Sequence, residues 1–136
     1  MRCGRSFRMR ISAMLALDDT PLGMGARAVA LPMGIEIRAD REPERGMIQR
    51  ADHWPFLEPG VPAALLTFGY DPGTGSEPRY RTWYRTRYPK PQDDLTQPWD
   101  PVAARDMNRF VRALAARVAD APERPAFLPT SLLAPR

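Results

Sequence analysis

The sequence has few of the side chains on which metal and redox chemistry depend. Its 136 residues include one cysteine, Cys3, and one histidine, His53. A single cysteine excludes an internal disulfide framework and a cysteine-based zinc cluster within one chain. A single histidine excludes a site built on two imidazoles of the same chain. Chemistry within this chain therefore depends mainly on carboxylates and on His53.

Long apolar runs are also missing. The longest, such as residues 61–68, are far shorter than the roughly 20 residues that span a bilayer, so we expect no membrane partner. The basic start and apolar residues 11–17 resemble an export signal, but Asp18 and Asp19 follow at once without an A-x-A cleavage site. We favour a disordered basic start over residues 1–10 and then a short buried strand. The sequence assigns no compartment.

Lysine is nearly absent, since Lys90 is the only lysine among 20 basic residues and the rest are arginine. The net charge is only +4, and such a charge bears on solubility before it bears on function. Hydrophobic residues make up 43% of the chain, which is enough for a core and argues against disorder throughout. The length fits one small domain.

Two helices are predicted from their starts. Thr20 or Asp19 can cap a helix that begins at Pro21, because proline suits the first helical position. A second helix over 101–119 follows a capping Asp100 and carries one apolar stripe.

The remaining segments are predicted from local pattern. A short strand is expected at 35–37, and a strand buried on both faces is expected at 61–68. Residues 52–57 are predicted to form a loop that leads into one helical turn. Residues 69–98 show no regular pattern, and a Pro-rich tail over 122–136 is expected to be extended or disordered.

Asp52 and His53 form the first constellation suited to chemistry. A histidine beside a carboxylate, in a loop ahead of a buried strand, fits a general base or a neighbour of a metal site. The alternative is a capping aspartate and a histidine packed against Trp54. On spacing alone we favour this alternative.

Residues 78–90 interleave arginines with aromatic rings, among them Trp83 and Tyr84. Such a segment can bind nucleic acid, with phosphates on the arginines and bases on the rings. Asp93 and Asp94 follow at once, however, and the net charge is small. We therefore favour a packed loop whose rings cover the end of a sheet and whose arginines pair with carboxylates, and we expect no nucleic-acid partner.

Other motifs are less specific. The Asp93–Asp94 pair is more typical of a turn and cap than of a cation site. The glycines of residues 71–75 do not lie between a strand and a helix start, as a phosphate loop requires. Three serines lack the context of a nucleophile elbow: Ser12, Ser76 and Ser131.

One longer segment resembles a known signature. Residues 46–63, GMIQRADHWPFLEPGVPA, are similar to the D-H-x-P-F-x-x-x-G-V-P-A segment of the co-catalytic zinc aminopeptidases, metallopeptidase family twenty-eight. Residues 87–95, RYPKPQDDL, resemble the family's Y-H-x-P-x-D segment. The helix over 101–119 stands where the family's last helix stands. The resemblance extends over 11–121, which we interpret as a partial domain of this family.

The resemblance implies a fold and a chemistry. The fold is α/β, part of a three-layer α/β/α sandwich with a mixed sheet, which glutaminyl cyclases share. The family holds two zinc ions through two histidines and three carboxylates and hydrolyses N-terminal peptide bonds. By resemblance, Asp52 and His53 lie beside the metal site in the substrate pocket. We also expect Trp83 and Tyr84 to line that pocket. The implied partner is a peptide N-terminus.

The chain departs from the family pattern in two respects. The earlier family motifs (a His-x-Asp segment, a bridging aspartate, a Glu-Glu pair and a further aspartate) are absent. Pro89 stands where the last histidine ligand stands, and proline offers no donor atom to zinc. The resemblance therefore carries over no metal ligand. We expect no zinc bound by this chain and no peptidase activity from it alone.

Three functions stay open at this point. The first is an aminopeptidase-family chain that is catalytically incomplete. The second is a non-catalytic peptide-binding module or subunit-like remnant, and the third, least favoured, is a basic nucleic-acid-binding module. A shortened sheet would also expose an edge and an apolar face, which favours self-association through that edge.

Overall fold

The structure, a computed structural model, describes residues 18–88, 90–96 and 100–134, together with the backbone of residues 10–13. Within these residues, strands and helices alternate through the first half of the chain, and two helices follow. The elements are β1 (Arg10–Ala13), α1 (Pro21–Ala30), β2 (Glu36–Arg38), α2 (Trp54–Leu57), β3 (Leu66–Phe68), α3 (Ser76–Thr86) and α4 (Pro101–Ala119).

The three strands form a small mixed sheet with β1 in the middle. β2 runs parallel to β1 and places Ile37 opposite Ile11. β3 runs antiparallel on the other side of β1 and places Phe68 opposite Ile11. Parallel neighbours need a crossover connection, and α1 lies within the one between β1 and β2. Both β2 and β3 are therefore edge strands.

The two faces of the sheet differ in character. Side chains alternate between faces along a strand, so Ile37 and Leu66 point toward α1 and α4 and pack into the core there. Glu36 and Arg38 lie on the opposite face, where they form an ion pair of 2.6 Å. β2 therefore presents charged side chains on this face.

The predicted α/β class is confirmed in its coarse form, as helices with few strands, and the three-layer sandwich is not. A second helical layer packs only on an apolar sheet face, and β2 presents charged side chains there. The described residues place one helical layer, α1 with α4, against the sheet. The predicted domain boundaries over 11–121 and 122–136 stay a prediction.

The core lies between α1, α4 and the sheet. Ala26, Ala30 and Phe110 are almost fully buried and form its centre. A Cβ atom on Gly25 would stand 3.3 Å from Nε of Arg117. The small residues of α1 thus allow α4 to approach its backbone closely.

Both predicted long helices are confirmed, and their starts explain them. The Thr20 hydroxyl accepts a hydrogen bond from the backbone N–H of Leu22 at 3.2 Å. The Asp100 carboxylate accepts from the N–H groups of Val102 and Ala103 at 2.9 and 3.0 Å. A proline follows each cap, at the first helical position, where the missing N–H of proline would have no partner within the helix in any case. The turn predicted at 52–57 is also confirmed, as the short helix α2.

Two sequence predictions are wrong in part. Residues 69–98 contain an 11-residue helix, α3, where no regular structure was expected. No regular pattern was visible over 69–98, but Pro78 lies in the first turn of α3, where a proline is tolerated. The strand predicted over 61–68 is reduced to Leu66–Phe68, because Pro62 cannot donate to a sheet ladder. Phe68 is 48% exposed, so this strand is not buried on both faces.

The tail lies along the body of the protein. Residues 122–134 contain no helix or strand. Phe127 and Leu133 nevertheless pack against a second buried cluster. This cluster consists of Leu57 in α2 and of Ile48 in the turn before α2. The Ser131 hydroxyl donates a 2.7 Å hydrogen bond to the Asp19 carboxylate, so the tail contacts the start of α1.

Candidate functional site

One groove of the described residues has a volume of about 1450 Å³. Its walls are the segment leading into α2, the strand β3 with the residues before it, and helix α3. Asp52 and His53 line one wall, while Trp83 and Tyr84 line another. The structure therefore brings all four predicted site residues to one groove.

Helix α3 contributes a wall of aromatic rings. The rings of Tyr80 and Tyr84 have centroids 4.9 Å apart, and those of Trp83 and Tyr88 stack at 5.2 Å. Trp83 and Tyr84 lie three and four positions after Tyr80, on one side of α3, and Tyr88 lies two residues beyond the end of this helix. That spacing is the signal by which sequence reasoning could have found α3. We call these four rings the aromatic wall.

Tyr84 is held tightly in this wall. Its ring lies 5.2 Å from the rings of both Trp83 and Tyr88, and the Arg45 guanidinium lies 5.0 Å from its centroid, as in a cation–π pair. Burial, with the nearby Tyr80, raises the pKa of Tyr84 to about 12. Tyr84 thus presents a neutral hydroxyl at physiological pH.

His53 is buried in the opposite wall. It is only 9% exposed, and neither ring nitrogen has a hydrogen-bond partner within the described residues. Burial lowers the pKa of His53, and the negative charge of Asp52 opposes this effect only in part. The imidazole is therefore neutral at pH 7 and lacks the hydrogen-bonded partner that orients a general base.

Asp52 is the one acidic residue among the described residues that line the groove. Its side chain is exposed and takes part in no ion pair or hydrogen bond that the described part of the chain provides. A carboxylate in this setting can bind a cation or an ammonium group. Arg50, two residues earlier, lines the same wall and was not singled out by the sequence.

Neighbouring carboxylates are bound by arginines. Glu42 accepts from Arg45 at 3.1 Å and from Arg81 at 3.2 Å, and Arg81 also bonds Glu77 at 3.0 Å. Burial acts to raise the pKa of Glu42, but the hydrogen bonds from Arg81 and Arg45 outweigh it and hold the pKa below its usual value. These contacts neutralise part of the basic segment over 78–90.

The donor set does not fit the two zinc ions that the family resemblance implies. Over the residues that the structure describes, no three His, Cys, Asp or Glu side chains come together in a way that could hold a metal ion. Among the described residues that line the groove, only Asp52 and His53 belong to these four types, and the nearby carboxylate of Glu42 is bound by two arginines. Pro89, the position of the lost histidine ligand, lies outside the described residues.

The other candidates have local structural roles. The Asp94 carboxylate accepts from the N–H and hydroxyl of Thr96 at 2.9 and 2.6 Å, as in a turn. The Ser76 hydroxyl accepts from the N–H of Asp71 at 2.9 Å and so closes the loop over 71–75. Cys3 and the side chain of Ser12 lie outside the described residues.

Comparison with known proteins gives one match. The sequence model of Peptidase family M28 matches residues 5–115, well over half of the chain. No curated protein and no solved structure matches the chain. No helix among the described residues has both the length and the apolar character to cross a membrane. The family match includes the Asp52–His53 segment and the helix that carries the aromatic wall.

Proposed function

The chain belongs to peptidase family M28, and from that premise we propose that it binds the amino end of a peptide in its groove and does not hydrolyse it. The observation that carries this proposal is the groove that Asp52, His53, Trp83 and Tyr84 line together. The family relationship is to metallopeptidases. In this chain, peptide binding is retained without the metal-dependent hydrolysis.

The composition of the groove supports binding. The Asp52 carboxylate offers a charge-assisted hydrogen bond to an ammonium group. The aromatic wall offers a flat apolar surface to the first side chains of a peptide, and such contacts exclude water from the ion pair. The ring of His53, whose nitrogens are buried, completes the wall beside Asp52.

The lack of a fitting donor set supports the absence of hydrolysis. A metal-bound water becomes a nucleophile near neutral pH because the metal lowers its pKa, and catalytic zinc sites use three protein ligands. In the described residues the groove supplies one carboxylate and one buried imidazole.

Hydrolysis is tested with an aminoacyl chromogenic reporter and added zinc. The purified chain is expected to release no product above a protein-free control, because too few ligands surround the groove. The control enzyme is any active aminopeptidase under the same conditions. If product is released in the presence of zinc and a chelator abolishes this release, the chain is an active aminopeptidase and the non-catalytic proposal is wrong.

Binding is tested by calorimetric titration with a short apolar peptide and with the same peptide N-acetylated. Acetylation removes the ammonium charge, so we expect about tenfold weaker binding, and Asp52→Asn is expected to lose a similar factor. Glu123→Gln, which changes an exposed acid outside the groove, should bind like the parent chain. If neither peptide binds, or if acetylation changes nothing, the proposed function is wrong.

A further inference from the structure

The groove follows one edge of strand β3. It is lined by Ala63, Leu65, Leu66, Thr67 and Phe68. Side chains alternate between the two faces of a strand, so a groove on one face would touch only every second residue. This groove is lined by neighbours that point to opposite faces, Leu66 toward the core and Thr67 away from it. The groove therefore runs along the edge of the strand, where the backbone is accessible.

This edge of β3 has no partner among the described residues. In the described sheet β3 has one neighbour, β1, which pairs with its other edge. The backbone hydrogen bonds that the described residues form outside helices and strands include none at residues 62–68. Residues 63–68 are all partly or largely accessible. Alternate residues of a strand direct their N–H and C=O groups to the same side, so a row of donors and acceptors faces the groove.

The size of the groove favours a ligand of several residues. Residues 63–68 cover roughly 17 Å when extended at about 3.3 Å per residue, and the groove has a volume of about 1450 Å³. A ligand that covered this edge without bonding to it would leave buried backbone groups unpaired, which is costly. A peptide in the extended conformation supplies an N–H and a C=O group at intervals that match those of the edge.

Resting on the proposed function, we propose that the peptide binds as an added strand on the free edge of β3. Its backbone pairs with residues 63–68, and its ammonium group binds Asp52. The partner is an extended amino-terminal segment without proline in the paired stretch, since proline has no N–H to donate. The main chain supplies the hydrogen bonds, so affinity depends on peptide side chains only at alternate positions, where they meet the aromatic wall.

Backbone methylation of the ligand tests this inference without altering the protein. The full chain is titrated by calorimetry with a six-residue peptide of alternating leucine and threonine. Four further versions each carry one N-methyl group, on the amide of one interior residue. Successive amides of a strand point to opposite sides, so methylation should weaken binding about tenfold at every second position and less than about twofold at the positions between them.

The methylated peptides are matched controls for one another, because all of them keep the ammonium group and the same side chains. An equal loss of affinity at all four positions, or no loss at any of them, would mean that the bound peptide does not pair with the strand edge. This inference would then be wrong while peptide binding stands. If the unmethylated peptide does not bind, the proposed function itself fails.

A second copy of the chain is the competing occupant of this edge, and hydrogen exchange distinguishes the two. At a fixed low chain concentration, added peptide should slow exchange about tenfold at those amides of residues 63–68 that face the groove, because they gain hydrogen bonds. Exchange that slows with rising chain concentration and not with added peptide would identify a second copy as the occupant, and this inference would be wrong.

Discussion

At the scale of the residue, the burial of His53 links the stability of the protein to pH. Burial holds its pKa below the ordinary value of 6.5, so the unfolded chain takes up a proton more readily than the folded one. The contribution of His53 to stability is complete above pH 6.5 and is lost as the pH falls through its folded pKa. The protein has no other histidine, so no other imidazole contributes there.

This dependence gives the first prediction. The urea midpoint should be lower at pH 5.5 than at pH 7.5 in the parent chain. His53→Leu should remove most of this difference and should cost little stability at pH 7.5, because it replaces a buried group without hydrogen bonds by an apolar one. Equal midpoints at both pH values in the parent chain would contradict the assignment.

Some of the residues that line the groove could be predicted from the sequence. Asp52 and His53 were identified from their adjacency and from the family resemblance, whereas Trp83 and Tyr84 came from the aromatic segment over 78–90. All four line the groove. Arg50 was missed because nothing in a sequence tells which of 19 arginines lacks an acidic partner. That property depends on contacts such as Arg81 with Glu42, which lie 39 residues apart.

At the scale of the element, the capping hydrogen bonds at the helix starts contribute to the free energy of unfolding, and substitution of a capping residue measures that contribution. Asp100 accepts two backbone hydrogen bonds at the start of α4, and α4 supplies the fully buried Phe110 to the core. Asp100→Ala should therefore destabilise the protein by about 1 kcal/mol, a fall of about 3–5 °C in Tm.

Asp100→Asn keeps a side-chain acceptor and should recover most of this loss, since asparagine caps as well as aspartate. Differential scanning calorimetry of the two variants gives both values. A loss as large in Asp100→Asn as in Asp100→Ala would mean that the charge, and not the hydrogen bonds, stabilises the helix start.

The elements also show where sequence reasoning succeeds. Helices α1 and α4 were predictable because a capping side chain and a proline mark each start within a few residues. Helix α3 was not predicted, because its stripe is aromatic and its charged residues mask the apolar period. Part of its support comes from the ion pair between Glu77 and Arg81 and from the N–H of Gly73, which bonds Glu77 at 3.0 Å.

At the scale of the whole molecule, the small sheet leaves two edges of unequal character. The β2 edge carries Glu36 and Arg38, and charge on an edge discourages pairing. The β3 edge ends at Phe68, which is 48% exposed. If copies of the chain associate through the sheet, β3 is the edge at which we expect them to meet.

Sedimentation velocity over a range of concentrations tests this expectation. The parent chain should show growing mass with concentration, and Phe68→Lys should suppress it because charge opposes edge pairing. Leu31→Lys removes a residue that is 79% exposed but lies outside the strands, and it should leave association unchanged. Equal suppression by both variants would point to general hydrophobic contact and away from the sheet edge.

The place of Phe110 in the core sets an order of events during synthesis. Ala26 and Ala30 leave the ribosome early, but the ring that covers them belongs to the fourth helix. At roughly 5–20 residues per second, the early strand–helix–strand unit waits several seconds for it. The bond between Asp19 and Ser131 forms later still. The apolar surface of Ala26 and Ala30 thus stays uncovered until the fourth helix has emerged.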